Sequence, residues 1–229
     1  MTADWQVDAV LLDMDGTLVD TERVYITSLT EVLDEFGYPD AGLVCHGMIG
    51  LPGPECQQLL VSHYGRDFPL PAINRAFAAR RDAMLAAGLP LKRGAVELLD
   101  ALRAAQWPMA VVTSSSQRTA EAHLALGGIR ARFDLIITRD DVARGKPSPD
   151  LYLLAAERLG VAPGACVAVE DSSVGIAAAF AAGAIALMVP DLQQPNDATR
   201  GQCAAVLPDL DAVLALLRTR AGLGLARGK

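Results

Sequence analysis

The chain has 229 residues, 52% of them hydrophobic, and a formal net charge of -7. That is enough apolar material for one sizeable core with room for an insertion, and it excludes a disordered chain. The acidic balance argues against a nucleic-acid surface, and no apolar run approaches the roughly 18 residues needed to cross a membrane, so neither is expected as a partner. The opening MTADWQVD lacks the basic and apolar segments of a secretion signal, which predicts a cytoplasmic protein. Cys45, Cys56, Cys166 and Cys203 form no CxxC pair, so free thiols are expected rather than disulfides or zinc, with Cys166 and Cys203 in strand-like runs.

In chain order, the apolar run over residues 7–12 predicts a strand buried on both faces, stopping at Asp13 and Asp15, then Gly16 and Thr17. Residues two apart on extended chain point the same way, so Asp13 and Asp15 can both enter the crevice at the strand's carboxyl end. Tyr25, Leu29, Val32, Leu33 and Phe36 then recur at helical spacing up to Gly37, and helical patterns follow over 55–64 and 72–87. No strand is expected between Thr21 and Leu91, so this stretch reads as a helical insertion. From Pro108 strands and helices alternate: strands over 108–113, 133–138, 165–170, 184–190 and 204–208, helices over 117–126, 149–159, 174–182 and 211–220. Ser148 with Pro149, Ser172 and Asp209 are the expected helix starts, Gly160 and Gly183 the stops, and the tail 222–229 is expected to fray. The fold class that follows is α/β, a doubly wound parallel sheet formed by residues 1–20 and 91–229, with an all-helical domain inserted over 21–90.

Four polar clusters fall where strands end: Asp13 with Asp15; Thr113 to Ser116; Lys146; and Glu170 to Ser173. Strand ends of one parallel sheet converge in space. Each cluster has an ordinary explanation, as helix caps for the serines and acids or as a solvated lysine. Lysine is scarce, however: of 20 basic residues only Lys92, Lys146 and Lys229 are lysines. Taken together, the carboxylates suit a hard cation such as magnesium, and Lys146 with that ion would offset their mutual repulsion. Asp13 can then act as nucleophile and Asp15 as proton carrier, while the serine run offers hydroxyls and helix amides to a phosphate.

The ordered set DMDGT, TSSS, KPSP and EDSSVG resembles the haloacid dehalogenase superfamily, in the branch with a helical cap that includes beta-phosphoglucomutase and sugar-phosphate phosphatases. The resemblance implies that Asp13 is the nucleophile forming an aspartyl-phosphate and Asp15 the general acid and base. It further implies that Ser114 binds the transferring phosphoryl group, with help from the amides of Met14, Asp15 and Ser115, and that Lys146 bridges nucleophile and phosphate. Magnesium would be held by Asp13, by the backbone carbonyl of Asp15, by Asp171, and by Glu170 directly or through water. Thr17, Ser115 and the cap residues Glu22, Tyr25 and Gly53, within a loop over residues 51–55, are the expected substrate contacts; Arg80 and Arg81 are weaker candidates.

Departures narrow the reaction. Asp15 argues against a dehalogenase, and the absence of lysine between Thr21 and Leu91 against a phosphonatase that needs a cap lysine. The resemblance puts Tyr25 where beta-phosphoglucomutases carry a histidine. The expectation is therefore a magnesium-dependent phosphatase of a small phosphorylated metabolite, most simply a sugar phosphate, with a phosphosugar mutase and a non-catalytic binding module as alternatives. His46, His63 and His123 stand singly and receive no role. With no surplus apolar helix face, a monomer or weak homodimer is expected.

Overall fold

The computed structural model describes residues 5–49 and 53–223; Leu51, Pro52 and the end of the expected frayed tail lie outside them. The chain divides into two compact units, Met1–Val19 with Pro90–Lys229, and Asp20–Leu89.

In the first unit the described strands are β1 (Ala9–Leu12), β2 (Met109–Val112), β3 (Leu135–Ile137), β4 (Cys166–Glu170), β5 (Ile185–Met188) and β6 (Ala205–Val206), in sheet order β3-β2-β1-β4-β5-β6. All adjacent pairs are parallel, and β1 is central, with Leu12 opposite Val111 on one side and Val169 on the other. Its run AVLL is buried at every position, the signature of a strand covered on both faces. Ala9 and Leu11 join a cluster with Leu151, Tyr152 and Ile176, while Val10 and Leu12 point to the opposite face and are equally buried.

The helices, in chain order through both units, are α1 (Thr21–Glu35), α2 (Ala41–His46), α3 (Gly53–Tyr64), α4 (Leu70–Ala86), α5 (Ala95–Ala104), α6 (Gln117–Leu126), α7 (Asp150–Leu159), α8 (Ser173–Ala181), α9 (Asp197–Gln202) and α10 (Leu210–Arg220). The first four make up the second unit, around Val32, Leu33, Leu60, Phe68 and Ile73. No described helix is long and apolar enough to cross a membrane.

Three helices go beyond the expected set. α2 starts at Asp40 in the left-handed region with no side-chain cap, and α9 is a six-residue polar turn capped by Asn196, so neither carries an apolar period. α5 does carry one, in Leu98, Leu99 and Leu102. Asp209 accepts from the Ala212 amide and Ser172 from the Gly175 amide, as expected of caps. Ser148 does not cap: its hydroxyl bonds Asp150 Oδ1 at 2.7 Å, and Pro149 is the residue that precedes the helix. Phe36 is exposed rather than packed, because α1 turns its buried stripe through Val24, Ser28, Val32 and Leu33. Cys203 closes α9 instead of lying in a strand, and all four cysteines are free thiols.

Candidate active site

The site of the first unit is assembled by strands ending in register. The Asp13 amide donates to Val169 O at 3.0 Å and the Thr113 amide to Ile137 O at 2.9 Å, so the ladders continue one step past the apolar runs and fix where the polar side chains emerge. Gly16 follows with φ +81°, a conformation that glycine adopts without the penalty of a Cβ. A Cβ there would also meet Asp171 Oδ2 at 2.2 Å.

Lys146 ties the ends together. Its Nζ donates to Asp13 Oδ1 at 2.6 Å, to Glu170 Oε1 at 2.5 Å and to Val112 O at 2.9 Å, and only 5% of the side chain is exposed. Although burial works against its charge, Asp13 and Glu170 hold the ammonium above the ordinary lysine range. Glu170 is fully buried and also accepts from the Tyr152 hydroxyl at 2.6 Å and from Ser172 Oγ at 3.3 Å. Burial, followed by the charge of Glu170, pushes the Tyr152 phenol far above its usual range.

Asp13 is 6% exposed, and burial pushes its carboxyl up to about 8 against the opposing pull of Lys146, with Glu170 adding to the rise. Oxygens of Asp13, Glu170 and Asp171 lie within 4.8 Å of one another. An all-oxygen set of that spacing fits a hard divalent cation.

Asp15 stands in a different setting. Its Oδ2 accepts from Ser115 Oγ at 2.8 Å, and its Oδ1 lies 3.1 Å from His123 Nδ1. Its carboxylate does not join the three-carboxylate group.

The remaining expected residues stand in settings of their own. The Ser115 hydroxyl donates to Asp15 Oδ2 and its amide to Thr113 Oγ1 at 3.0 Å. Thr17 is fully buried with its hydroxyl unpartnered. His46 and His63 are exposed, but His123 is buried against Asp15. Ser114 is exposed.

Within the helical unit, Glu22, Tyr25 and Gly53 line one cavity of about 680 Å³ together with Ile26, Phe77 and Arg81. The Arg81 guanidinium lies 5.9 Å from the centre of the Tyr25 ring and 5.7 Å from that of Phe77. Arg80 does not line it; it pairs with Glu31 and Glu35, joining α4 to α1.

The family model of haloacid dehalogenase-like hydrolases matches residues 7–183. The chain belongs to this hydrolase family. The fructose-1-phosphate phosphatase YqaB of Escherichia coli is 36% identical over 177 residues, covering 76% of this chain and 92% of its own. A phosphorylated carbohydrates phosphatase of Thermotoga maritima is 31% identical over 177 residues, covering 77% of this chain and 82% of its own. Among solved structures, a HAD family hydrolase of Deinococcus radiodurans with bound phosphate and sodium matches with a TM-score of 0.84 at 32% identity, covering 97% of this chain and 100% of that one.

Two further partners of this hydrolase site are Tyr152, which lies outside the motifs, and Gly175, which closes the EDSSVG motif but was given no role. A Cβ on Gly175 would fall 2.0 Å from the Glu170 carboxylate, so Gly175→Ala is expected to force Glu170 off Lys146 and Tyr152 and to destabilise the fold by about 1–3 kcal/mol, read as a lowered melting temperature. A second prediction concerns pH. Between the ordinary value of 3.8 and about 8 the folded state keeps the Asp13 proton that the unfolded state has lost, so stability falls as pH rises through this window. Without divalent metal, Asp13→Asn should therefore melt higher than wild type near pH 8, by a margin that shrinks toward pH 5; a constant margin would contradict the burial of this carboxyl.

Proposed function

We propose that this protein is a magnesium-dependent phosphomonoesterase acting on a small phosphorylated metabolite, a sugar phosphate by preference. The observation that carries the reading is Lys146, buried and bonded to both Asp13 and Glu170, with the Asp171 carboxylate in the same group. Phosphoryl transfer asks mainly for alignment and charge neutralisation, and this cluster can supply both.

In the first half-reaction an Asp13 oxygen bonds to phosphorus while the ester bond breaks, and Asp15 gives its proton to the departing alkoxide. In the second, water bonds to phosphorus and gives a proton to Asp15, while the phosphorus–oxygen bond to Asp13 breaks and its electron pair returns to the carboxylate. Lys146 offsets charge on Asp13 and the phosphoryl group, and the Ser114 hydroxyl with the Met14 and Asp15 amides orients the phosphoryl oxygens. Asp13, Asp171, Glu170 and the Asp15 carbonyl would hold magnesium, which when bound supplies further positive charge to the phosphoryl oxygens.

Residues 1–20 and 91–229 would serve as the catalytic domain and 21–90 as a cap that sets specificity through Glu22, Tyr25 and Gly53. Hydrolysis is preferred to phosphosugar transfer within one molecule because the two relatives named above are phosphatases. A monomer or weak homodimer working in the cytoplasm completes the proposal.

The test is phosphate release across a panel of metabolite monophosphates, fructose 1-phosphate included, with and without magnesium. Release should require the metal and be abolished by Asp13→Asn, and magnesium should raise the melting temperature of wild type more than that of Asp171→Asn. Full multiple turnover by Asp13→Asn, or undiminished release in excess chelator, would refute it.

A further inference from the structure

His123 lies on α6, between Ala120 and Leu124 on its buried side, with 7% of its side chain exposed. A buried imidazole needs a polar partner, and this one finds Asp15 Oδ1 at 3.1 Å, across 108 positions of sequence. Ser115, just before the same helix, holds the other oxygen of the same carboxylate at 2.8 Å. The terminal torsion of an aspartate is broad and two-fold, so a carboxyl gripped at one oxygen still swings. Gripped at both, by groups carried on one rigid helix and its lead-in, it does not.

We infer that His123 is a positioning residue for the proton-carrying aspartate: its ring nitrogen fixes the rotation of the Asp15 carboxyl and reserves Oδ2 as the oxygen that takes and gives the proton. This inference rests on the phosphatase reading and extends it to a residue outside the four motifs. With Asp15 ionised, Nδ1 must carry the hydrogen, because a carboxylate only accepts. Oδ1 is then occupied by an N–H donor. On Oδ2 a proton can be accommodated, since the Ser115 hydroxyl can turn from donor to acceptor. Proton exchange with the leaving alcohol and later with water uses this one oxygen, and no bond to His123 forms or breaks.

The alternative is that His123 merely fills space and Asp15 satisfies it. The two differ in what a substitution does. The full chain is assayed with magnesium and p-nitrophenyl phosphate as wild type, H123L, H123N, H123Q, D15N and D15N/H123L, with melting temperatures alongside. A p-nitrophenolate leaving group needs no proton, whereas breakdown of the aspartyl-phosphate needs Asp15 as base. H123L should therefore show a burst of p-nitrophenolate near one per chain, then turnover slowed about 10–100-fold with KM falling in step, so that kcat/KM stays within about twofold of wild type.

Asparagine can place an amide N–H close to the Nδ1 position, while glutamine places it nearer Nε2. H123N should thus recover to within about threefold of wild type and H123Q should not. In the D15N background the leucine substitution should cost nothing further, since there is no carboxyl left to orient. If H123L does not fold, the contrast between H123N and H123Q decides.

Turnover of H123L within about twofold of wild type, equal rates for H123N and H123Q, or the same fold loss in the D15N background would each overturn the inference while leaving the phosphatase reading intact. No magnesium-dependent release by wild type would overturn both.

Discussion

One ammonium group holds the core site together. Lys146 reaches from the segment before α7 to the end of β1, the end of β2 and the end of β4 at once. Buried charges are costly to desolvate, and removing one partner of a buried pair typically costs about 3–5 kcal/mol because the other is left uncompensated. Lys146 faces two carboxylates, so the trio would carry excess negative charge with both ionised, and Asp171 adds to it. That excess is the physical argument for the proposed cation: the fold gathers more acid than its own lysine can balance.

The cluster is supported from behind. Glu170 is held on its far side by the Tyr152 hydroxyl of α7, and it fits because Gly175, in the first turn of α8, has no side chain to displace it. In the resemblance Glu170 is a neighbour of the metal; in the structure its carboxylate is also the counter-charge that fixes the lysine. The two descriptions agree, since the same carboxylate can bond Lys146 through Oε1 and still lie within reach of a cation shared with Asp13 and Asp171.

How far the sequence discloses this depends on the range of each interaction. Strand periodicity placed Asp13, Asp15, Thr113 and Glu170 correctly, because a parallel sheet brings its carboxyl ends to one edge regardless of what lies between. Local capping chemistry marked Ser172 and Asp209, though it misplaced Ser148, whose hydroxyl bonds the Asp150 side chain instead of a backbone amide. Tyr152 and His123 could not be found in this way, for they act across the fold, and Gly175, though it closes the EDSSVG motif, gives no sign in the sequence of the carboxylate it leaves room for. The available hint for His123 was a polar residue on the inner stripe of α6, which could equally have been a satisfied core histidine.

Two aspartates separated by a single residue thus enter different surroundings. Asp13 is buried with a lysine, in a setting where desolvation outweighs the ammonium and favours the protonated form. A protonated carboxyl is a poor nucleophile, so the buried position is useful only when further positive charge arrives, which is what a cation held with Asp171 would bring. Asp15 remains partly exposed, held by the Ser115 hydroxyl and the His123 imidazole. Under the proposed mechanism, bond-making and proton transfer would thus fall in two different environments, one buried beside Lys146 and Glu170, the other partly exposed beside Ser115 and His123.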